Sequence, residues 1–154
     1  MNSKKKASKK AVALMLLALV LILALASLSF KEVYGASVSL AVVRGSSMKP
    51  LLHEGDIVFV VHKSPSEIKV GDIVVYRSVR GHLIIHRVIT VLNVSGHLEY
   101  VTKGDNNPYD DSFLNEFSRG RGVTFERVIG VVWAPHGMVF KIPFIGYITL
   151  LLRG

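Results

Sequence analysis

The sequence predicts a mainly β protein, a folded-over antiparallel sheet or barrel, preceded by one transmembrane helix. Three observations carry that prediction. A charge-free apolar run of twenty residues, Ala11–Phe30, opens the chain after a basic tail. Six short segments rich in Val and Ile follow it. Gly, Pro, Asn or Ser turns separate those segments, a spacing typical of a sheet that folds back on itself and not of βαβ units.

The elements follow in chain order. Residues 1–10 form a basic tail carrying Lys4, Lys5, Lys6, Lys9 and Lys10. Residues 11–30, as a helix, would be about 30 Å long, the thickness of the bilayer hydrocarbon. Lysines before the run and few charges after it place the N-terminus in the cytoplasm and residues 31–154 outside, at the cell membrane or the endoplasmic-reticulum membrane. A cleaved secretory signal is the rival reading, with small-residue sites at Ala24-Leu25-Ala26 or Tyr34-Gly35-Ala36. The run is longer than the 7–15 residues of a usual signal core, which favours the anchor.

The net charge of +8 draws five of its charges from that tail, leaving +3 for the rest. The chain therefore offers no footprint for nucleic acid, and membrane topology and anionic lipid account for the lysines. The absence of cysteine excludes disulfides, thiolate catalysis and Cys-based zinc sites.

Strands are expected over Val38–Val43, Asp56–Val61, Asp72–Tyr76, Leu83–Leu92, Leu98–Thr102 and Arg127–Trp133. "EGDIVFV" and "VGDIVVY" echo one another, with their Gly-Asp pairs sixteen residues apart. Two turns entering similar buried strands explain that echo, since Gly permits the positive φ such turns need. Asn93-Val94-Ser95 is a glycosylation pattern in an exterior hairpin. The terminal "FKIPFIGYITLLLRG" is broken by Pro143 and Gly146 and is too short to span as a helix. It reads as a final core strand or as an apolar surface dipping into the outer leaflet. The "SRGRG" stretch reads as a solvated loop.

Chemistry gathers at three places. "GSSMKP" holds two adjacent serines, and a serine hydroxyl needs a base to act as a nucleophile. Among six histidines, His53, His62, His97 and His136 lie in loops or strand ends. His82 and His86 invite a metal reading, but four residues of strand extend about 13 Å, too far for one ion. His86 sits inside the apolar "LIIHRVITV", where a structural histidine and a catalytic one both remain open. Acids cluster in "TKGDNNPYDDSF" as Asp105, Asp110 and Asp111; an Asx-rich turn explains them locally. Counted from Asp105, the EF-hand pattern fails at positions five and six.

Taken in order, "GSSMKP", "IIHRVI" and "TKGDNNPYDD" resemble the three motif boxes of type I signal peptidases of the archaeal and endoplasmic-reticulum branch. The likeness extends from about Val38 to Leu152, through "GDIVVY" and "PFIGYITLL". It implies a signal peptidase catalytic domain in which Ser47, immediately before Met48, is the nucleophile. His86 matches the general base, where the bacterial branch carries lysine. Asp111 matches the third triad member, ahead of Asp105, a second aspartate implicated in the branch, and of Asp110. Met48 would tuck beneath the turn and Pro50 would stiffen it. The family's usual Ser-Gly-Ser-Met is Gly45-Ser46-Ser47-Met48 here, so the oxyanion hydroxyl is missing at Gly45; Ser46 or backbone amides are its substitutes.

The resemblance further implies secretory pre-proteins as substrates, membrane lipid as surroundings, no metal or organic cofactor, and room for a complex with other membrane subunits. Two readings compete with it. One is a serine–lysine peptidase of similar fold using Lys103. The other is a membrane-tethered β-domain that binds a partner protein and catalyses nothing.

Overall fold

The computed structural model describes residues 38–117 and 121–148, together with positions 12, 14–22 and 25 of the N-terminal segment. Contacts divide the chain into two units, Met1–Ala36 and Ser37–Gly154. In the first, the described residues are helical. Val12, Leu14, Met15, Leu16, Leu17, Leu19, Val20, Leu21, Ile22 and Leu25 are each more than half exposed. Among the described residues no helix is long and apolar enough to cross a membrane. The basic tail, and much of the anchor expected over Ala11–Phe30, lie outside the described residues.

The second unit is mainly β. Its strands are β1 (Ser39–Val42), β2 (Ile57–Val61), β3 (Ile73–Arg77), β4 (Leu83–Val94), β5 (His97–Lys103), β6 (Val123–Thr124), β7 (Val128–Val132) and β8 (Lys141–Ile142). All pair antiparallel in the order β1-β2-β7-β3-β4-β5-β6, with β8 also on β2. The two echoed segments become β2 and β3, which flank β7 from either side. Gly55 and Gly71 precede them, both at positive φ. The β4–β5 hairpin turns through Ser95 and Gly96, also both at positive φ, the geometry that matches a two-residue loop to strand twist.

Alternation along the strands builds two apolar clusters. Ile73 and Val75 of β3 point to one, with Val43, Met48, Leu52, Val58, Val60 and Val132. Val74 and Tyr76 point to the other, with Ile68, Val88, Tyr100, Val123 and Val131. A strand buried on both faces carries an unbroken apolar run, as "IVVY" does.

The structure departs from the expected strands at the C-terminal side. The strand expected from Arg127 begins at Val128, because Phe125–Arg127 turns as a short 3₁₀ helix. Among the described residues the terminal run supplies the two residues of β8, after which Phe144, Ile145 and Ile148 are exposed; residues 149–154 lie outside the described residues. What holds this segment is polar. Asp56 is fully buried, and its carboxylate accepts from Lys141 Nζ (2.7 Å) and the His53 N–H (3.0 Å). Lys141 also donates to the Leu51 carbonyl at 2.8 Å, which clamps β8 to the chain following the serines. Gly146 N–H donates to the Gly55 carbonyl, and a Cβ on Gly55 would lie 2.4 Å from the Tyr147 ring.

Burial alone would raise the Asp56 carboxyl, but Lys141 and the neighbouring N–H groups outweigh it and hold the group below its ordinary 3.8. A depressed folded value contributes stability that is complete above the unfolded pKa and fades as pH falls through the folded one. Lys141→Ala leaves a buried carboxylate without its cation and should cost on the order of 3 kcal/mol near neutrality. Denaturant midpoints measured across pH should show that gap closing as pH falls below 3.8 and through the lower folded value, where the carboxyl is protonated in both chains.

Candidate active site

The serines occupy the turn between β1 and β2. Gly45, at φ +79°, reverses the chain, and Met48 drives inward to 2% exposure in the first apolar cluster. Its carbonyl accepts the Leu52 N–H at 2.9 Å, closing a helical turn. That is why a polar turn carries a large apolar side chain: Met48 is the anchor that fixes its neighbour Ser47. Ser46 and Pro50 stay on the exposed side.

His86 lies in β4, 4% exposed and opposite Val74 of β3. Side chains alternate along a strand, so Tyr76 on β3 shares the face of Val74 and His86. Val88 pairs with Thr102 of β5, which brings Thr102 to that face as well. Lys103, paired with Arg87, points to the opposite one.

The third group arrives on the loop after β5. The Asp111 N–H donates to the Thr102 carbonyl at 2.9 Å, which seats the fully buried carboxylate beside the imidazole. His86 Nδ1 is 2.7 Å from Asp111 Oδ2 and 2.8 Å from Oδ1. His86 Nε2 is 3.0 Å from Ser47 Oγ. A carboxylate at Nδ1 assigns the proton to that nitrogen, which leaves Nε2 to accept from the serine hydroxyl. Asp111 Oδ2 also accepts from the Tyr76 hydroxyl at 2.8 Å and the Thr102 hydroxyl at 2.6 Å. Burial, then the Asp111 charge, push the Tyr76 phenol far above its usual range, so it remains a donor.

The other expected residues are placed elsewhere. Asp105 forms a two-armed ion pair with Arg87, at 2.8 Å to Nε and 2.6 Å to Nη2. Arg87 also donates to the Gly71 carbonyl, and the ion pair raises the guanidinium further above its usual value. Asp110 accepts from the N–H and hydroxyl of Ser112, a local turn. Tyr76, Thr102 and Arg87 were not singled out in the sequence. Arg87 follows His86 directly, which was the available signal; the two hydroxyls become visible only through strand register.

Asn106 joins the acidic loop to the serine turn, its N–H on the Ser47 carbonyl (2.7 Å) and its Nδ2 on the Ser46 carbonyl (3.2 Å). A Cβ at Gly104 would sit 2.7 Å from that same Ser47 oxygen. Gly104→Ala must therefore push the two loops apart. Misplacement of that size typically costs on the order of 10²-fold in rate. Turnover at saturating substrate should fall by about that much, while the circular dichroism of the sheet is retained.

A cleft of about 850 Å³ opens over Ser47 and His86. Leu40 and Val42 line it from β1, and Leu83 and Ile85 from β4. Among the described residues β1 pairs only with β2, so its other edge is open to an extended peptide.

A hydroxyl, an imidazole and a buried carboxylate in one hydrogen-bonded line are the constellation of the Ser-His-Asp hydrolases. Comparison with known proteins independently leads to peptidases. Residues 24–129 match the sequence profile described as Peptidase S24-like, and the chain belongs to that family. It is 38% identical over 117 residues to the signal peptidase complex catalytic subunit of Sclerotinia sclerotiorum, covering 73% of this chain and 63% of the relative. It is 36% identical over 117 residues to the subunit of the same name in Neurospora crassa, with the same coverage. The corresponding human subunit is 32% identical over 121 residues, covering 77% of this chain and 59% of the relative. The chain thus spans about three fifths of the length of these relatives.

Proposed function

We propose that this chain is a membrane-bound serine endopeptidase that removes signal peptides from secretory pre-proteins. The observation that carries the reading is the 3.0 Å contact between Ser47 Oγ and His86 Nε2, backed by Asp111 at 2.7 Å on the far side of the ring. The likeness to catalytic subunits of the signal peptidase complex supports the choice of substrate class.

In this mechanism Ser47 Oγ attacks the scissile carbonyl as His86 Nε2 takes its proton, and Asp111 stabilises the imidazolium. The Ser47 N–H, and Ser46 beside it, receive the charge that develops on the carbonyl oxygen in place of the hydroxyl lacking at Gly45. His86 then protonates the leaving amine, and a water molecule activated by His86 releases the acyl group from Ser47. The chain's own side chains suffice, without a metal or organic cofactor. Asp105 serves through Arg87, holding the acidic loop against β4. An extended substrate lies along the open edge of β1, over the apolar cleft.

The N-terminal run anchors the enzyme with its tail in the cytoplasm and the β domain on the exterior or lumenal side, next to lipid. The described residues of this run are helical, apolar and exposed, which suits a non-aqueous medium. Signal cleavage sites lie within a few residues of the bilayer, so the anchor confines enzyme and substrate to one thin layer. The names of the relatives support assembly with further subunits.

The test is to incubate the full chain, in detergent micelles, with a secretory pre-protein and to sequence the product's N-terminus. One cut at the signal junction, after a small side chain, is expected. A pre-protein that is bound but never shortened would leave only the tethered binding domain.

A further inference from the structure

We propose that Tyr76 and Thr102 are positioning residues for the reaction, their hydroxyls holding the Asp111 carboxylate in the orientation and charge state that make His86 a base. This rests on the serine-peptidase reading given above. Neither side chain borders the cleft, and both are fully buried, so any effect on catalysis passes through Asp111.

The placement argues for the role. Asp111 is 0% exposed and belongs to a loop, so no strand or helix fixes it. A buried carboxylate is tolerated only when donors satisfy its lone pairs. Two of those donors come from β3 and β5, the strands on either side of the His86 strand, and both meet the same oxygen, Oδ2. Three adjacent strands therefore converge on one carboxylate. Hydroxyls suit this task because they orient the anion without cancelling its charge, as a cation would.

A cation stacked on Tyr76 is held by other partners. Arg127 lies over the Tyr76 ring at 5.6 Å, but its guanidinium is committed to the buried Glu116, at 2.7 Å, and to the Glu116 and Arg77 carbonyls. Asp110 is held by Ser112, and Asp105 by Arg87. Among the described residues, the ionisable side chains bonded to Asp111 are His86 and Tyr76, while Glu116 also acts on Tyr76. Glu116 and the Asp111 charge, added to burial, keep the phenol protonated across the working pH range.

Removing a hydroxyl concentrates charge on Asp111, which raises the proton affinity of the paired imidazole. It also frees the carboxylate to rotate. The first change moves the acid limb of the pH–rate profile upward; the second lowers kcat.

The experiment uses the full chain in detergent with a secretory pre-protein. Tyr76→Phe and Thr102→Val keep the packing volume and each delete one hydroxyl; Thr102→Ser keeps the hydroxyl. Losing a hydrogen bond to a charged group should cost about tenfold or more in kcat. The KM should stay within about twofold, the acid limb should move to higher pH, and the downfield His86 Nδ1 proton resonance should shift. Thr102→Ser should restore both rate and pH profile.

Rates at the wild-type level with an unmoved acid limb overturn the proposal. So does a loss of kcat with an unmoved limb and no rescue by serine, because lost packing alone produces that. If Tyr76→Phe fails to fold, the Thr102 pair decides. Ser47→Ala in the same assay separates the two levels of the account. Continued cleavage by it removes the serine-peptidase reading and this proposal together. An inactive Ser47→Ala beside fully active Tyr76→Phe and Thr102→Val removes this proposal alone.

Discussion

Ser47→Ala is expected to abolish cleavage of a pre-protein while leaving the protein folded. The side-chain oxygen is the one heavy atom lost, and it bonds to His86, so neither apolar cluster changes. Met48 still seats the turn, and Asn106 still binds the Ser47 and Ser46 carbonyls. With no nucleophile, the acyl-enzyme route closes. The rate should fall about a millionfold, the scale seen when the serine of such a triad is removed. Substrate affinity should persist, because the cleft walls are untouched. A partner-binding domain would retain its function in this variant, and pull-down of the uncut pre-protein distinguishes the two cases.

Asp111→Asn should be nearly as severe, at about 10⁴-fold in kcat. The substitution keeps the volume but places an amide where a carboxylate accepted the Nδ1 proton. An amide N–H directed at Nδ1 makes that nitrogen the acceptor, so Nε2 carries the hydrogen and can no longer take one from Ser47. Asp105→Asn serves as the contrast. It weakens a partly exposed pair with Arg87, and the worth of such a pair is about 1 kcal/mol or less, so the loss should stay below about tenfold. A reversal of that order, with Asp105→Asn the more damaging, would mean that the acidic loop adopts another seating during catalysis.

The sequence disclosed the fold wherever strand character is local. Runs such as "DIVFV" and "DIVVY" become strands because Val and Ile suit a buried pleated surface and a Gly turn delivers them. It did not disclose β6, and it offered a final strand somewhere in the terminal run without marking the two residues of β8. Each is two residues long and is a strand only through the partner it meets, Tyr100 and Glu99 for one, Ile57 and Val58 for the other. Nor did it show that the apolar terminal run would be pinned by a polar clamp, since Asp56 and Lys141 are 85 positions apart.

The site was legible in the same uneven way. Ser47, His86 and the acidic loop stood out by motif, but composition alone could not choose among three aspartates. The choice depends on the Thr102 carbonyl that seats the Asp111 amide, a contact made by the fold. Tyr76 and Thr102 read as core residues of "DIVVY" and "EYVT", because nothing local reveals which face a strand will turn towards an acid. The Val74–His86 and Val88–Thr102 pairings supply that information, and the register slips between Val88 and Thr90.

The central claim is that the Ser47 oxygen becomes covalently attached to the substrate's acyl group. Its most direct measurement is an acid quench of the enzyme with a slowly turned-over acyl substrate, followed by mass analysis of the peptide spanning residues 45–50. The account predicts an acyl adduct on Ser47 that forms and decays at rates consistent with turnover and is absent in His86→Ala. Steady turnover with no adduct on that peptide, or with the adduct on another residue, would contradict it.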